Sequence, residues 1–188
     1  MKHPSICTGT HPVLSAATGA QSGTQAGFSM VEVLVTLVVL STGLLGVANL
    51  QVEALRSNQS AFLASVAAQQ AQDMTERMQA NPAGVMGGQY DHLDASIPGE
   101  QVNCQTANCT PAQLAMYDHN RWNTANQTLL PSGSGQVSAI ATRTFLIGVR
   151  WNDKQLAGAT GWQAGSIAAT ACGAPQANTR CFFLREQT

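Results

Sequence analysis

An uninterrupted apolar run constrains this chain more than any other feature. Residues 28–52 contain a single charged side chain, Glu32. As an α-helix this run would extend about 37 Å at ~1.5 Å per residue, which is longer than the ~30 Å hydrocarbon core of a bilayer. A carboxylate at its fifth position is unusual, because burying it in lipid without a partner is unfavourable. The run therefore predicts a membrane-spanning helix in which Glu32 has a specific task.

Three residues at the start of the run, Gly27, Phe28 and Glu32, form a signature. A glycine, then phenylalanine or methionine, then an apolar helix with glutamate at its fifth position resembles the type IV prepilins and the pseudopilins of type II secretion. The resemblance implies that a prepilin peptidase cleaves between Gly27 and Phe28 and methylates the new amino terminus of Phe28. It also implies that Glu32 pairs with the terminal amine of a neighbouring subunit as helices bundle into a filament.

Two plainer interpretations of the run remain to be compared with this one. In a single-pass envelope anchor, Glu32 would be an interfacial charge and Gly27 would have no special role. A cleavable secretory signal fits less well, since its apolar region is about 7–15 residues long and is followed by a small-x-small cleavage site that is missing here. Residues 1–27, the predicted leader, are longer and less basic than the leaders of prepilins, with Lys2 as their one lysine or arginine.

The sequence predicts that the helix continues beyond the span, to residue 80. Polar residues enter from residue 53, while apolar residues recur at spacings of three, four and seven, which places them on one helix face. They are Leu55, Phe62, Val66, Ala67, Ala71, Met74 and Met78. Asn81-Pro82 and Gly84 then form a stop signal. We expect one helix over residues 28–80, whose second half packs on a sheet from its own chain. A bend near Gly43 and close helix packing there are equally compatible with the sequence.

The remaining residues, 81–188, predict a small head. Residues 81–135 read as a loop with one helix, which Thr110 caps and Pro111 begins, and Leu114, Tyr117 and Trp122 could anchor it. Residues 136–188 carry the strand signal. Residues 144–151 alternate well apart from Leu146, residues 136–140 and 180–186 alternate less clearly, and residues 162–168 are a fourth candidate. Long helix, loop and antiparallel sheet together predict an α+β fold, and this is the layout of the pilin fold that the resemblance to prepilins implies.

The cysteines predict an oxidising compartment. Cys7 falls in the predicted leader, which leaves an even number, four, in the rest of the chain. These are Cys104, Cys109, Cys172 and Cys181. Outside the cytoplasm such a set indicates two disulfides, for which three pairings are possible. We favour Cys104 with Cys109 and Cys172 with Cys181, because each pair closes a short loop. A zinc site is disfavoured, since no C-x2-C pair is present.

Charge and motifs argue against catalysis and nucleic-acid binding. The net charge is −1, and −2 without residues 1–27, and lysine and arginine are not clustered. No H-E-x-x-H, P-loop or G-x-S-x-G motif is present, so neither an enzyme nor a cofactor is predicted. The acids Asp91, Asp94 and Asp118, near His92 and His119, could hold a metal, but we interpret these acids as solvated loop residues and predict no metal site.

The head carries a further resemblance. Ala115, Asp118 and Trp122, the Leu130-Pro131 pair before a glycine-rich turn, a strand ending at residues 149–153 and a cysteine pair before the last strand resemble the minor pilins called type IV pilus modification proteins, or PilV. The resemblance implies a minor pilin that primes or caps a pilus. It also implies a single span in the bacterial inner membrane and a periplasmic head. The implied partners are the peptidase, other minor pilins, the major pilin and the assembly platform. A pseudopilin and an envelope anchor are the alternatives.

Overall fold

The computed structural model describes residues 27–99 and 102–188, so the predicted leader up to residue 26 lies outside it. The chain divides into two compact units, Met1–Gly46 and Val47–Thr188, which are described separately. Helix α1, Met30–Ala80, begins in the first and ends in the second. It starts at Met30 rather than at Phe28, and Ser29 caps it, because the Ser29 hydroxyl oxygen accepts a hydrogen bond from the Val31 amide at 3.4 Å. The helix is continuous at Gly43.

The second unit is an α+β fold built on four antiparallel strands in the order β1-β2-β3-β4. Its elements after α1 follow in chain order: α2 (Pro82–Met86), β1 (His92–Leu93), α3 (Pro111–Leu129), β2 (Ser134–Ala141), β3 (Thr144–Asn152), α4 (Ile167–Cys172) and β4 (Thr179–Gln187). The long apolar helix and the small antiparallel sheet confirm the predicted pilin-like class of fold.

The expected strand at residues 162–168 is wrong. Its end belongs to α4, where the Ser166 hydroxyl accepts a hydrogen bond from the Ala169 amide and so starts a short helix. The fourth strand is instead β1 at the other edge of the sheet, where His92 and Leu93 pair with Ser138 and Val137. A strand of two residues has no periodicity of its own and forms only because β2 is beside it.

The main core fills the space between α1, α3 and one face of the sheet. Its largest fully buried side chains include Met74, Met78, Trp122, Phe145 and Trp151. On α1 the buried positions Ala67, Ala71, Met74 and Met78 confirm part of the predicted stripe.

Two members of the predicted stripe lie outside this core. Leu55 and Phe62 are 69% and 63% exposed, so their placement in the core was wrong. At about 100° per residue, Phe62 points roughly opposite to Ala71, and Leu55 shares its direction. The spacing of seven shows that these two residues lie on the same face of the helix, but it does not show that this face is the buried one.

A second, smaller core covers the opposite face of the sheet. Helix α4 packs there against Leu146, and a Cβ atom on Gly148 would lie only 1.9 Å from the Ala171 carbonyl oxygen. Strand β3 is therefore buried on both faces, which explains why Leu146 interrupts the alternation of apolar and polar residues. The Cys172–Cys181 disulfide ties α4 to β4, and Cys104–Cys109 closes the loop before α3. These are the pairs that the sequence favoured.

Candidate assembly site

The residues of the predicted processing site are accessible in the first unit. Phe28 is 83% exposed, and a Cβ atom built on Gly27 would meet nothing within 4 Å. Both residues precede the first turn of α1, so their peptide bond lies in non-helical chain that an enzyme can approach. Peptidases bind substrates in extended conformations, and this geometry permits such binding without unwinding the helix.

Glu32 lies in the first turn of α1. A carboxylate is electrostatically favourable there, because the first turn carries unpaired N–H groups and the positive end of the helix dipole. Within the described residues the carboxylate has no hydrogen bond or ion pair to another side chain. Other polar groups of this segment are satisfied locally: the hydroxyls of Thr36, Ser41 and Thr42 donate to carbonyls of their own helix at 2.6–2.9 Å. Glu32 is thus the one charged side chain of residues 28–52, and it has no side-chain partner within the described residues.

The apolar surface behind Glu32 is open on all sides. Every residue from 27 to 59 is exposed, including large side chains such as Leu34, Leu45 and Leu50. Among the described residues, α1 is the one helix whose length and composition suit a membrane span. A helix that is apolar all round requires either lipid or other apolar helices as its surroundings.

A buried polar network fixes the end of α1 to α3 in the second unit. Asp118 is 5% exposed, and its carboxylate accepts hydrogen bonds from the Tyr90 hydroxyl at 2.7 Å and from Arg77 Nη1 at 3.2 Å. The Tyr90 oxygen in turn accepts from Asn81 Nδ2 at 3.1 Å. Burial, together with the hydrogen bond to Asp118, raises the pKa of the Tyr90 hydroxyl well above its ordinary value. The interpretation of Asp118 as a solvated acid was wrong.

Neighbouring positions on the inward side of α3 hold the loop that follows β1. The His119 ring Nε2 lies 2.9 Å from the Asp94 carbonyl oxygen, and Asn123 Nδ2 donates to the Ser96 carbonyl at 2.9 Å. Asn123 also bridges to Gly135, whose amide donates to Asn123 Oδ1 at 2.6 Å. His119 therefore holds this loop on α3. In the described parts of the chain, no group of three or more His, Cys, Asp or Glu side chains is placed to bind a metal ion.

A second buried carboxylate, Asp153, joins α1 to the end of the sheet. It is 4% exposed and accepts hydrogen bonds from Ser60 Oγ at 2.8 Å, Arg180 Nε at 2.6 Å and the Gln155 amide at 3.0 Å. Burial alone would raise the pKa of Asp153, but these hydrogen bonds outweigh it and hold the pKa below its ordinary value. Nothing in the residues next to Asp153 in the sequence predicts this link to α1.

The anchoring face of α3 also differs in part from the prediction. Trp122 is fully buried as expected, and its indole Nε1 donates to the Gln70 carbonyl of α1 at 2.7 Å. Leu114 and Tyr117 are only half-buried. The inward face is instead formed by Ala115, Asp118 and Trp122 together with His119, Asn123 and Asn126. The helix begins as predicted at Pro111, where Thr110 and Gln113 form a reciprocal capping box.

Two known family profiles match this chain, one over the start of α1 and the other over the rest of α1 and part of the head. The sequence profile described as the prokaryotic N-terminal methylation motif matches residues 23–48, which include Gly27, Phe28 and Glu32. The profile described as type IV pilin Tt1218 matches residues 49–120, which extend from α1 into α3. No curated protein and no solved structure shows significant similarity to the chain.

Proposed function

We propose that the chain is a minor pilin that primes or caps the assembly of a type IV pilus, and the matches to the N-terminal methylation motif and to the type IV pilin Tt1218 profile support this proposal. The methylation motif implies processing by a prepilin peptidase and pilins as partners, and the apolar helix α1 fits a membrane-anchored protein that joins a pilus. The main observation behind the proposal is that the methylation motif, with Gly27, Phe28 and Glu32, lies at the start of an apolar helix whose surface is exposed on all sides. The family is structural, so the proposed role is not catalytic.

We assign the processing steps to three residues of the motif. The peptidase cuts between Gly27 and Phe28, removes residues 1–27, and methylates the amino group of Phe28. The exposed, non-helical backbone at this bond supports the assignment. Glu32 then pairs with the terminal amine of a neighbouring subunit. Its support is the absence of a bond or ion pair for this carboxylate within the described residues.

Assembly in this scheme transfers α1 from lipid into a bundle of similar helices. Residues 28–52 form the buried rod, and residues 81–188 form the head that selects neighbouring subunits. The head is held on residues 53–80 by the Asp118 and Asp153 networks. We place the span in the inner membrane and the head in the periplasm, where the two disulfides would be stable. Besides the peptidase, the partners of the protein would be other minor pilins, the major pilin and the assembly platform. The PilV subtype stays a prediction.

Deleting the protein and scoring two phenotypes tests the proposal. A minor pilin predicts loss of surface pili with normal secretion of exoproteins, whereas a pseudopilin of type II secretion predicts the reverse. Loss of neither would leave the envelope anchor. Complementation with Glu32→Ala should restore processing but not incorporation into filaments. Glu76→Ala, which removes an exposed acid from the same helix, is the matched control and should restore both.

A further inference from the structure

The two outer edges of the sheet differ in how their backbone groups are satisfied. At the edge formed by β2, strand β1 pairs with the middle of β2, and the Asn123 side chain bonds to both the amide and the carbonyl of Gly135. Further along β2, the Ala139 amide donates to the Asp91 carbonyl at 2.8 Å. This edge of the sheet is therefore closed to a further strand.

The opposite edge, formed by β4, is open beyond its first residue. In an antiparallel pair, the backbone groups of successive residues face the partner strand and the outside in turn. The Thr179 carbonyl faces outwards, where it accepts a hydrogen bond from the Gly161 amide at 2.9 Å, so every second residue after Thr179 also faces outwards. These residues are Cys181, Phe183, Arg185 and Gln187. Their amide and carbonyl groups have no hydrogen bond within the described part of the chain.

Apolar side chains at this open edge are only partly covered. Phe182 and Leu184 contact the main core on the α1 face of the sheet, and Phe183 contacts the smaller core on the α4 face. All three side chains are half-buried. A further strand beside β4 would place side chains against both faces, because residues opposite each other in neighbouring strands are in contact.

A groove of about 480 Å³ lies on the α1 side of this edge, within the second unit. Ala61 and Ala64 of α1 and Phe182 of β4 form its apolar wall. In an added strand, the residue opposite Phe182 would point to the same face of the sheet and so into the groove. Open backbone groups beside a pocket for a side chain are the features of sites that bind an extended peptide as an extra strand. A helix does not suit this edge, because its backbone groups bond to one another.

We propose that β4 binds an extended segment of another protein, which adds a fifth, antiparallel strand to the sheet. Apolar side chains of the segment cover Phe182 and Phe183, and one of them enters the groove. Arg185 is exposed and has no acidic partner among the described residues, so the segment carries an acidic residue opposite it. The inference describes how the head selects a neighbour, and in this respect it rests on the proposed function.

A second copy of β4 suits this edge less well than a different protein. Parallel pairing of two β4 strands would place Arg185 beside Arg185, and like charges at paired positions are destabilising. Antiparallel pairing in one sheet would direct residues 53–80 of the two copies in opposite directions. The helices of the proposed filament run in parallel, so this arrangement does not fit them.

Hydrogen exchange of the full chain in mild detergent tests the proposal with a synthetic peptide. The probe is a short peptide that places glutamate opposite Arg185 and valines opposite Phe182, Phe183 and Leu184. When about 90% of the chains are bound, the outward-facing amides of β4 should exchange roughly tenfold more slowly, because exchange then proceeds from the unbound tenth. The amides of β2 should be unchanged.

Two matched comparisons show whether the edge and its charge are responsible. Methyl groups on the peptide nitrogens that face β4 should abolish binding, whereas methyl groups on the alternate nitrogens, which face away, should not. Arg185→Glu should weaken binding roughly fivefold, and a peptide with lysine in place of the glutamate should restore it. Arg121→Glu, which changes an exposed arginine of α3, is the control and should have no effect.

Unchanged exchange at the outward-facing amides, or equal effects of the two methylated peptides, would overturn the proposal. A photo-crosslinking amino acid at Gln187, an exposed residue of the edge, identifies the occupant in intact cells. A crosslink to an extended segment of another protein that carries an acidic residue supports the proposal, and a crosslink to a second copy or no crosslink refutes it. The peptide experiment involves no pili, so its failure is distinguishable from failure of the minor-pilin role, which the deletion tests.

Discussion

Replacing Asp118 with asparagine tests whether the buried network holds the head on α1. Asparagine keeps the size of the side chain but removes the charge that Tyr90 and Arg77 contact at 2.7 and 3.2 Å. A hydrogen bond to a charged group contributes about 1.5–3 kcal/mol, and one strong bond and one longer bond are weakened here. Arg77 keeps Asp73 as a partner, which limits the cost. We therefore expect the free energy of unfolding to fall by about 2–3 kcal/mol.

The assay is denaturant unfolding of the full chain in mild detergent, with the near-ultraviolet circular dichroism of the buried tryptophans as the recorded signal. Asp73→Asn is the matched control, because it removes the other, more exposed partner of Arg77 and should cost less than about 1 kcal/mol. Asp118→Asn should also lower the pKa of Tyr90 from its raised value, though burial would still hold it above the ordinary one. Equal costs for the two variants, or an unchanged Tyr90 titration, would refute the reasoning.

Three further predictions concern the sheet and its links. Gly148→Ala should cost about 1–3 kcal/mol by thermal unfolding, because its Cβ atom would overlap the Ala171 carbonyl, and an unchanged melting temperature would contradict this packing. Replacing Cys172 and Cys181 together with serine should cost about 2–3 kcal/mol through loss of a short cross-link, compared with the reduced wild type as control. Asp153 has a lowered pKa in the folded state, so the stability that it contributes is present above the ordinary pKa of about 3.9 and is lost as the pH falls below that value. The Asp153→Asn variant should therefore lose less unfolding free energy than the wild type as the pH falls through this range. An equally steep loss in the variant would count against the assignment.

Several elements of the fold could be predicted from short stretches of sequence, because residues close together in the chain determine where they begin and end. Pro111 begins α3 because Thr110 caps it, and both residues are adjacent in the chain. Strand β3 follows from its own alternation, and the long helix from its apolar run and from the stop at Asn81-Pro82. These features depend on residues a few positions apart, so no knowledge of tertiary contacts was needed to find them.

The buried carboxylates were missed because their partners are distant in the sequence. Asp118 contacts Arg77, 41 residues earlier, and Asp153 contacts Ser60, 93 residues earlier. A polar residue with such a partner has the same local sequence as a solvated one. The exposure of Phe62 has a related cause, since a spacing of seven shows that two residues share a helix face but does not show which face the head covers.

The amino terminus of the mature protein is the most direct test of the central claim. Mass spectrometry of the protein purified from its native membrane, with fragmentation of the first peptide, should find a chain that begins at Phe28 and carries a methyl group on its terminal nitrogen. A Gly27→Val variant, expressed in the same cells, should keep residues 1–27 attached. A wild-type protein that retains residues 1–27, or that begins at any other residue, would contradict the account.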